Sequence, residues 1–220
     1  MKVLILDLFG TLVPTECDDD AHRELARIVA SMHGLRDSWY ELYELYRRFV
    51  SIDMDSCSAV KESYRSFVEE NNLEPLYTYE ELCWLHTWLH ASYSKLYPDV
   101  VPFLENVRRL GLEIVIVSDA SRDVGRAIVK SLGLDRWVRT VVAFSDLGIT
   151  KPNPKLLTLA ENLLGTKLVP VAVVGDSEKD HALADALGVP YLCIDRKGKR
   201  SDCHHDLNTL FEELKRIVAR

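Results

Sequence analysis

Five short apolar runs constrain what this chain of 220 residues can fold into. They cover residues 3–6, 113–118, 139–144, 169–175 and 189–194, and are rich in β-branched side chains. Runs of this kind are buried on both faces, and their alternation with helical patterns predicts a parallel sheet with helices packed on both sides. The helix signals fall between the runs. Ser121 precedes a pattern over 122–132, Asn153-Pro154 offers a cap and a first position for 156–164, and Ser177 precedes 179–187. An amphipathic stretch over 207–218 ends the sequence. Right-handed crossovers then give an α/β, doubly wound sheet with the first strand central.

Between residues 13 and 98 the alternation stops, and only helix-period patterns remain, over 21–33, 38–50, 58–71 and 79–96. Thr78-Tyr79-Glu80-Glu81 has the form of a capping box, and Pro98-Asp99-Val100-Val101-Pro102 marks the return to the sheet. The expected organisation is a core of residues 1–13 and 99–220 with an all-helical insert of residues 14–98. The insert leaves the core just after Asp7 and Thr11, at the edge where open α/β sheets place ligands, and so is expected to act as a lid.

Composition narrows the function classes. A net charge of -7 argues against nucleic acid or an anionic membrane as the main partner, and no apolar stretch approaches membrane-spanning length. The five cysteines are scattered without a CxxC pair, so neither a disulfide framework nor a structural zinc site is expected. Asp7 interrupts the only stretch that resembles a secretion signal. These features together point to a cytoplasmic protein.

The ends of the apolar runs carry the chemistry. Asp7 leaves the first run on a turn, Phe9-Gly10-Thr11, whose glycine lets the backbone pass close to a bound group. A carboxylate held there can attack phosphorus or carbon. Ser118-Asp119 ends the second run, Lys151 follows the third, and Asp176 and Asp180 follow the fourth. Taken singly these are a helix cap, a loop charge, a turn residue and a first-turn acid. Taken together, Asp7 and Asp176 end adjacent strands with Asp180 close by, and such carboxylates repel unless a cation or proton is shared. A hard divalent ion, Mg²⁺, resolves the conflict and also binds phosphate oxygen, while Lys151 and the Ser118 hydroxyl hold the other phosphoryl oxygens.

In this order, Asp7-Leu8-Phe9-Gly10-Thr11, Ser118, Lys151 and Gly175-Asp176-Ser177-Glu178-Lys179-Asp180 resemble the four motifs of the haloacid dehalogenase superfamily, over nearly the whole chain. The resemblance implies a Rossmann-like core with a helical cap inserted after the first motif. It implies Asp7 as nucleophile, Ser118 and Lys151 as catalytic groups, and Ser118, Asp119, Lys151 and Thr11 around the substrate. The Mg²⁺ ligands it implies are Asp7, Asp176, Asp180 and the Phe9 backbone carbonyl, and the substrate is a small phosphorylated metabolite.

Phe9 departs from the pattern of most phosphatases in that superfamily, which carry there a second Asp that protonates the leaving group and then activates water. Phenylalanine transfers no proton, and the missing help is worth about 10²- to 10⁴-fold, or about 3 to 5 kcal/mol. Leaving groups already stable as anions are affected least. An aromatic at this position is also typical of 2-haloacid dehalogenases, which attack carbon without metal. Those enzymes resemble Ser-Ser-Asn in the fourth motif and Ser-Asn in the second, where this chain has Gly175-Asp176-Ser177 and Ser118-Asp119. They also carry a cap Arg soon after a Trp, whereas no Arg follows Trp39 before Arg47. Phosphonate hydrolases lack the second Asp but use a cap lysine, and neither Lys61 nor Lys95 lies in that context. The sequence thus predicts a Mg²⁺-dependent phosphatase. A dehalogenase-like hydrolase is the alternative, and a non-catalytic ligand-binding member of the family comes after it.

Other signals have plainer explanations. Trp39, Tyr43 and Tyr46 share one helix face and Trp84 and Trp88 another, as packing between insert helices would require. His86 and His90 have i,i+4 spacing without an HExxH context or an evident third ligand, which predicts a solvated or hydrogen-bonded pair. Cys203-His204-His205 lies in a polar loop, and Asp18-Asp19-Asp20 is expected to cap the first insert helix.

Overall fold

The computed structural model describes residues 1–50, 54–143 and 148–219. The chain divides into two compact units, Met1–Thr15 with Lys95–Arg220, and Glu16–Ser94. Strands β1 (Lys2–Leu6), β2 (Glu113–Ser118), β3 (Val138–Ala143), β4 (Val169–Gly175) and β5 (Tyr191–Cys193) lie in the larger unit. They pair in parallel in the order β3-β2-β1-β4-β5, with β1 central. Val3, Leu4, Ile5 and Leu6 are fully buried, which is why that run has no polar alternation. Val3, Ile5, Val115, Val117 and Val173 pack with helix residues such as Leu156 and Leu183 in one core. Phe144, the last residue of the third expected strand, lies outside the described residues. The fifth strand is shorter than 189–194 because the Val189 N–H bonds to Ala184 at the end of the preceding helix and Pro190 has no N–H to give.

Four helices form the smaller unit: α1 (Thr15–Met32), α2 (Trp39–Val50), α3 (Ser56–Glu70) and α4 (Tyr79–Tyr93). Leu25 and Val29 of α1, Leu42 of α2, Phe67 of α3 and Leu89 of α4 meet in their own core. The α4 start follows the sequence signal. Glu81 N–H donates to Thr78 Oγ1 at 3.2 Å, and Thr78 N–H donates to Glu81 Oε2 at 2.8 Å. By contrast, α1 begins at Thr15, so Asp18, Asp19 and Asp20 lie inside the helix and not ahead of it. Tyr43 is buried and Trp39 and Tyr46 pack against the same core, as expected. Trp84 and Trp88 do not. They are 67% and 51% exposed and stack on each other.

The cysteines also correct the sequence expectation. Cys57 and Cys83 form a disulfide between α3 and α4, with Cα atoms 5.5 Å apart. A second disulfide joins Cys193 at the end of β5 to Cys203, with Cα atoms 4.8 Å apart. Both spacings suit disulfides, and both partnerships are made by the fold and not by local spacing. Among the described residues, no helix is long and apolar enough to cross a membrane.

The larger unit continues with α5 (Val100–Arg109), α6 (Arg122–Ser131), α7 (Lys155–Leu164), α8 (Glu178–Leu187) and α9 (Leu207–Val218). The segment 98–102, expected to mark the return to the sheet, lies in the larger unit, and α5 starts within it. Pro102 sits in the first turn, where its missing N–H has no intrahelical acceptor to lose. Asp99, just before α5, ties distant segments together. Its Oδ2 accepts from Arg196 Nη1 at 2.6 Å and from the Leu207 N–H at 2.7 Å. Arg196 Nη2 also donates to the Thr11 carbonyl at 2.7 Å, and its guanidinium lies over the Tyr97 ring. Arg196 and Asp99 are only 8% and 10% exposed, so removing one partner strands a buried charge. Arg196→Met is expected to cost about 3 to 5 kcal/mol in urea unfolding. A loss below about 1 kcal/mol would contradict a structural role for the pair.

Candidate active site

The strand register places the site. Leu6 pairs with Ile116 on one side and Val174 on the other, so Asp7, Ser118 and Asp176 emerge within two residues of one row. The Asp7 N–H still donates to the Val174 carbonyl at 2.9 Å, which holds the acid at the end of β1. Gly10 has φ +82°, and a Cβ built on it would collide with the Asp176 carboxylate. The first turn therefore needs glycine both for its backbone conformation and to let Asp176 approach. The Gly10 N–H closes this turn on the Val13 carbonyl at 2.7 Å. Phe9 lies half-buried within it.

Lys151 is the centre of the arrangement. Its Nζ lies 2.6 Å from Asp7 Oδ1 and 2.6 Å from Asp180 Oδ1, and all three residues are buried. Asp7, Asp176 and Asp180 each bring a carboxylate oxygen within 4.8 Å of the others. With all three acids ionised, one ammonium leaves two negative charges uncompensated in a buried place. Asp7 and Asp176 are both shifted upward. Burial pushes Asp7 up to about 7, with Asp180 and Asp176 adding to the rise and the Lys151 ammonium opposing it. Asp176 is raised too, by burial and by Asp180. An all-oxygen donor set with two surplus negative charges fits a hard divalent cation.

The remaining sequence-predicted residues have distinct surroundings. The Ser118 hydroxyl is buried and accepts from the Ala120 N–H at 3.2 Å. Thr11 Oγ1 is buried with no partner among the described residues. Asp119 has two protein partners. One oxygen accepts from the Lys151 backbone N–H at 3.0 Å and the other faces Lys179 Nζ at 2.9 Å. It thus anchors the segment that carries Lys151. Asp180 spends Oδ1 on Lys151 and Oδ2 on Ser177, whose N–H and hydroxyl donate at 3.1 Å and 2.5 Å. Tyr191, which no sequence motif marks, donates to the Gly175 carbonyl at 2.9 Å and so steadies the end of β4. Its distance from Asp176 along the chain gave no local signal.

This geometry is accompanied by a match to the haloacid dehalogenase-like hydrolase family over residues 1–188. The chain belongs to that family and is a hydrolase of that kind. It is 28% identical over 207 residues to the glyceraldehyde 3-phosphate phosphatase of Methanopyrus kandleri, spanning 92% of this chain and 87% of that one. Other relatives are also named as phosphatases. The (S)-2-haloacid dehalogenase 4A of Burkholderia cepacia is 25% identical, over 96% of this chain and 93% of its own. Among solved structures, a phosphatase of the family from Thermococcus onnurineus matches with a TM-score of 0.64 at 24% identity, covering 97% of this chain and 98% of the other. That last likeness is one of fold.

The raised Asp7 has a signed consequence for stability. Its folded value lies above the unfolded 3.8, so its contribution to folding is full below that pH and is lost as pH rises through about 7. Metal-free protein is therefore expected to lose stability between about pH 4 and pH 7 relative to Asp7→Asn, followed by urea unfolding. Parallel pH profiles for the two proteins would contradict the raised carboxyl.

Proposed function

We propose that this protein is a Mg²⁺-dependent phosphatase acting on a small phosphorylated molecule through an aspartyl-phosphate at Asp7. The observation that carries the reading is the cluster of Asp7, Asp176 and Asp180 around the single ammonium of Lys151. A carboxylate substrate would add to that surplus charge, whereas a phosphoryl group arriving with a divalent ion would not. Asp7 and Asp176 are the principal side-chain ligands in this reading, with the Phe9 carbonyl beside them. Asp180 stands close enough to join, while its hydrogen bonds make it the holder of Lys151. The bound ion would offset the charge of the acids and of the phosphoryl oxygens.

An Asp7 oxygen forms a bond to phosphorus as the bond to the leaving oxygen breaks, and water then cleaves the acyl phosphate to inorganic phosphate. Lys151, the Ser118 hydroxyl and the Thr11 hydroxyl face the charge on the phosphoryl group. Phe9 offers no proton, so the favoured substrates have leaving groups stable as anions: acyl phosphates, phosphoanhydrides and aryl phosphates. Phe9 and the dehalogenase relative together favour one further reading, attack by Asp7 on the carbon of a 2-haloacid.

A direct comparison separates the two. Phosphate release from p-nitrophenyl phosphate and acetyl phosphate is expected to require Mg²⁺, to stop with EDTA, and to be abolished by Asp7→Asn. Metal-independent chloride release from L-2-chloropropionate would overturn the phosphatase reading. Phe9→Asp is expected to raise turnover of an alkyl phosphate by at least about 10-fold, part of the 10²- to 10⁴-fold that a general acid contributes. An unchanged rate in a folded variant would show that the missing acid is not what limits this enzyme.

A further inference from the structure

The smaller unit holds a second cluster of ligating groups, made entirely of its own residues. His22 of α1 and His86 and His90 of α4 are 4%, 1% and 1% exposed, and one nitrogen from each lies within 4.8 Å of the others. The sequence showed only the His86/His90 pair and predicted it solvated or hydrogen-bonded; the rings are hydrogen-bonded. The fold adds His22 and buries all three.

The hydrogen bonds around the rings fix which nitrogens are available. A backbone carbonyl can only accept, so His22 Nδ1 donates to the Asp18 carbonyl at 2.8 Å and His90 Nδ1 donates to the His86 carbonyl at 2.8 Å. This second-sphere pattern orients imidazoles that bind metals through Nε2. His22 Nε2 lies 3.0 Å from His86 Nε2, and His90 Nε2 lies 3.0 Å from Asp18 Oδ1. Ligand atoms around a tetrahedral Zn²⁺ ion, bound at about 2.0–2.1 Å, stand roughly 3.3 Å apart, close to both separations. Hydrogen bonding alone leaves the cluster incomplete, because His86 Nδ1 is buried with no partner among the described residues. The Asp18 side chain is 46% exposed and gives the cluster a path to solvent.

We propose that His22, His86 and His90, with Asp18 as fourth ligand, form a binding site for a divalent transition-metal ion, foremost Zn²⁺, that ties α1 to α4. The imidazole donors separate it chemically from the all-carboxylate cluster of the larger unit.

The test uses the full chain, stripped with EDTA, dialysed and titrated with Co²⁺ in excess Mg²⁺. One equivalent of Co²⁺ is expected to give the intense visible d–d bands of a four-coordinate ion, displaced by Zn²⁺, and Zn²⁺ is expected to raise Tm. Asp7→Asn keeps the bands, whereas His22→Gln and His86→Gln lose them along with the Zn²⁺-dependent rise in Tm. Absence of a stoichiometric four-coordinate spectrum in the wild-type protein would overturn the site, whatever the variants do. So would bands that persist in a folded His22→Gln or His86→Gln protein.

Discussion

Two buried carboxylates share one ammonium in this protein. Lys151 Nζ lies 2.6 Å from both Asp7 and Asp180, and the surrounding contacts keep it there. Asp119 anchors the Lys151 backbone from the end of β2, and Ser177 holds the other Asp180 oxygen at the start of α8. Lys151 thus links the turn after β1 and the start of α8 through its ammonium, and the end of β2 through its backbone N–H. Asp176 brings the uncompensated negative charge of the group to two. A buried charge without compensation is expensive, so the cluster either retains a proton, as the raised Asp7 indicates, or takes a divalent ion. The hydrolase family and the chemistry proposed for this member meet in that deficit.

Much of this was legible in the sequence because its causes are local or periodic. Apolar runs without alternation mark strands buried on both faces, and β1 lies in the middle of the sheet as those runs require. A carboxylate at the end of such a run must emerge at the sheet edge, so Asp7 and Asp176 could be placed together from their positions alone. What stayed hidden depends on partners brought together by folding. Nothing near Asp99 marks Arg196 as its partner, and nothing near His86 marks His22. The two disulfides likewise join cysteines 26 and 10 residues apart without a motif. Asp119 shows the same limit in a motif residue: its position was evident, but its hold on the Lys151 backbone was not.

The two units differ in the donors they gather. The larger collects carboxylate oxygens around an ammonium, and the smaller collects imidazole nitrogens beside one aspartate. Hard and borderline ions sort between such sets by ligand type. The Arg196–Asp99 pair supports the first cluster from behind, since Arg196 holds the carbonyl of Thr11 in the turn that follows Asp7. Phe9, in that same turn, leaves the electrostatic part of the site intact while removing a proton donor from it. In the proposed phosphatase reading, catalysis would rest on charge stabilisation and positioning more than on proton transfer.

The central claim is that a divalent ion takes the place of the proton on the Asp7 cluster. Calorimetric titration of Mg²⁺ into metal-free protein at pH 7, in two buffers of different ionisation enthalpy, measures this directly. The account predicts one Mg²⁺ bound with net release of protons, and no binding to Asp176→Asn. Mg²⁺ binding without proton release, or undiminished binding to Asp176→Asn, would contradict it.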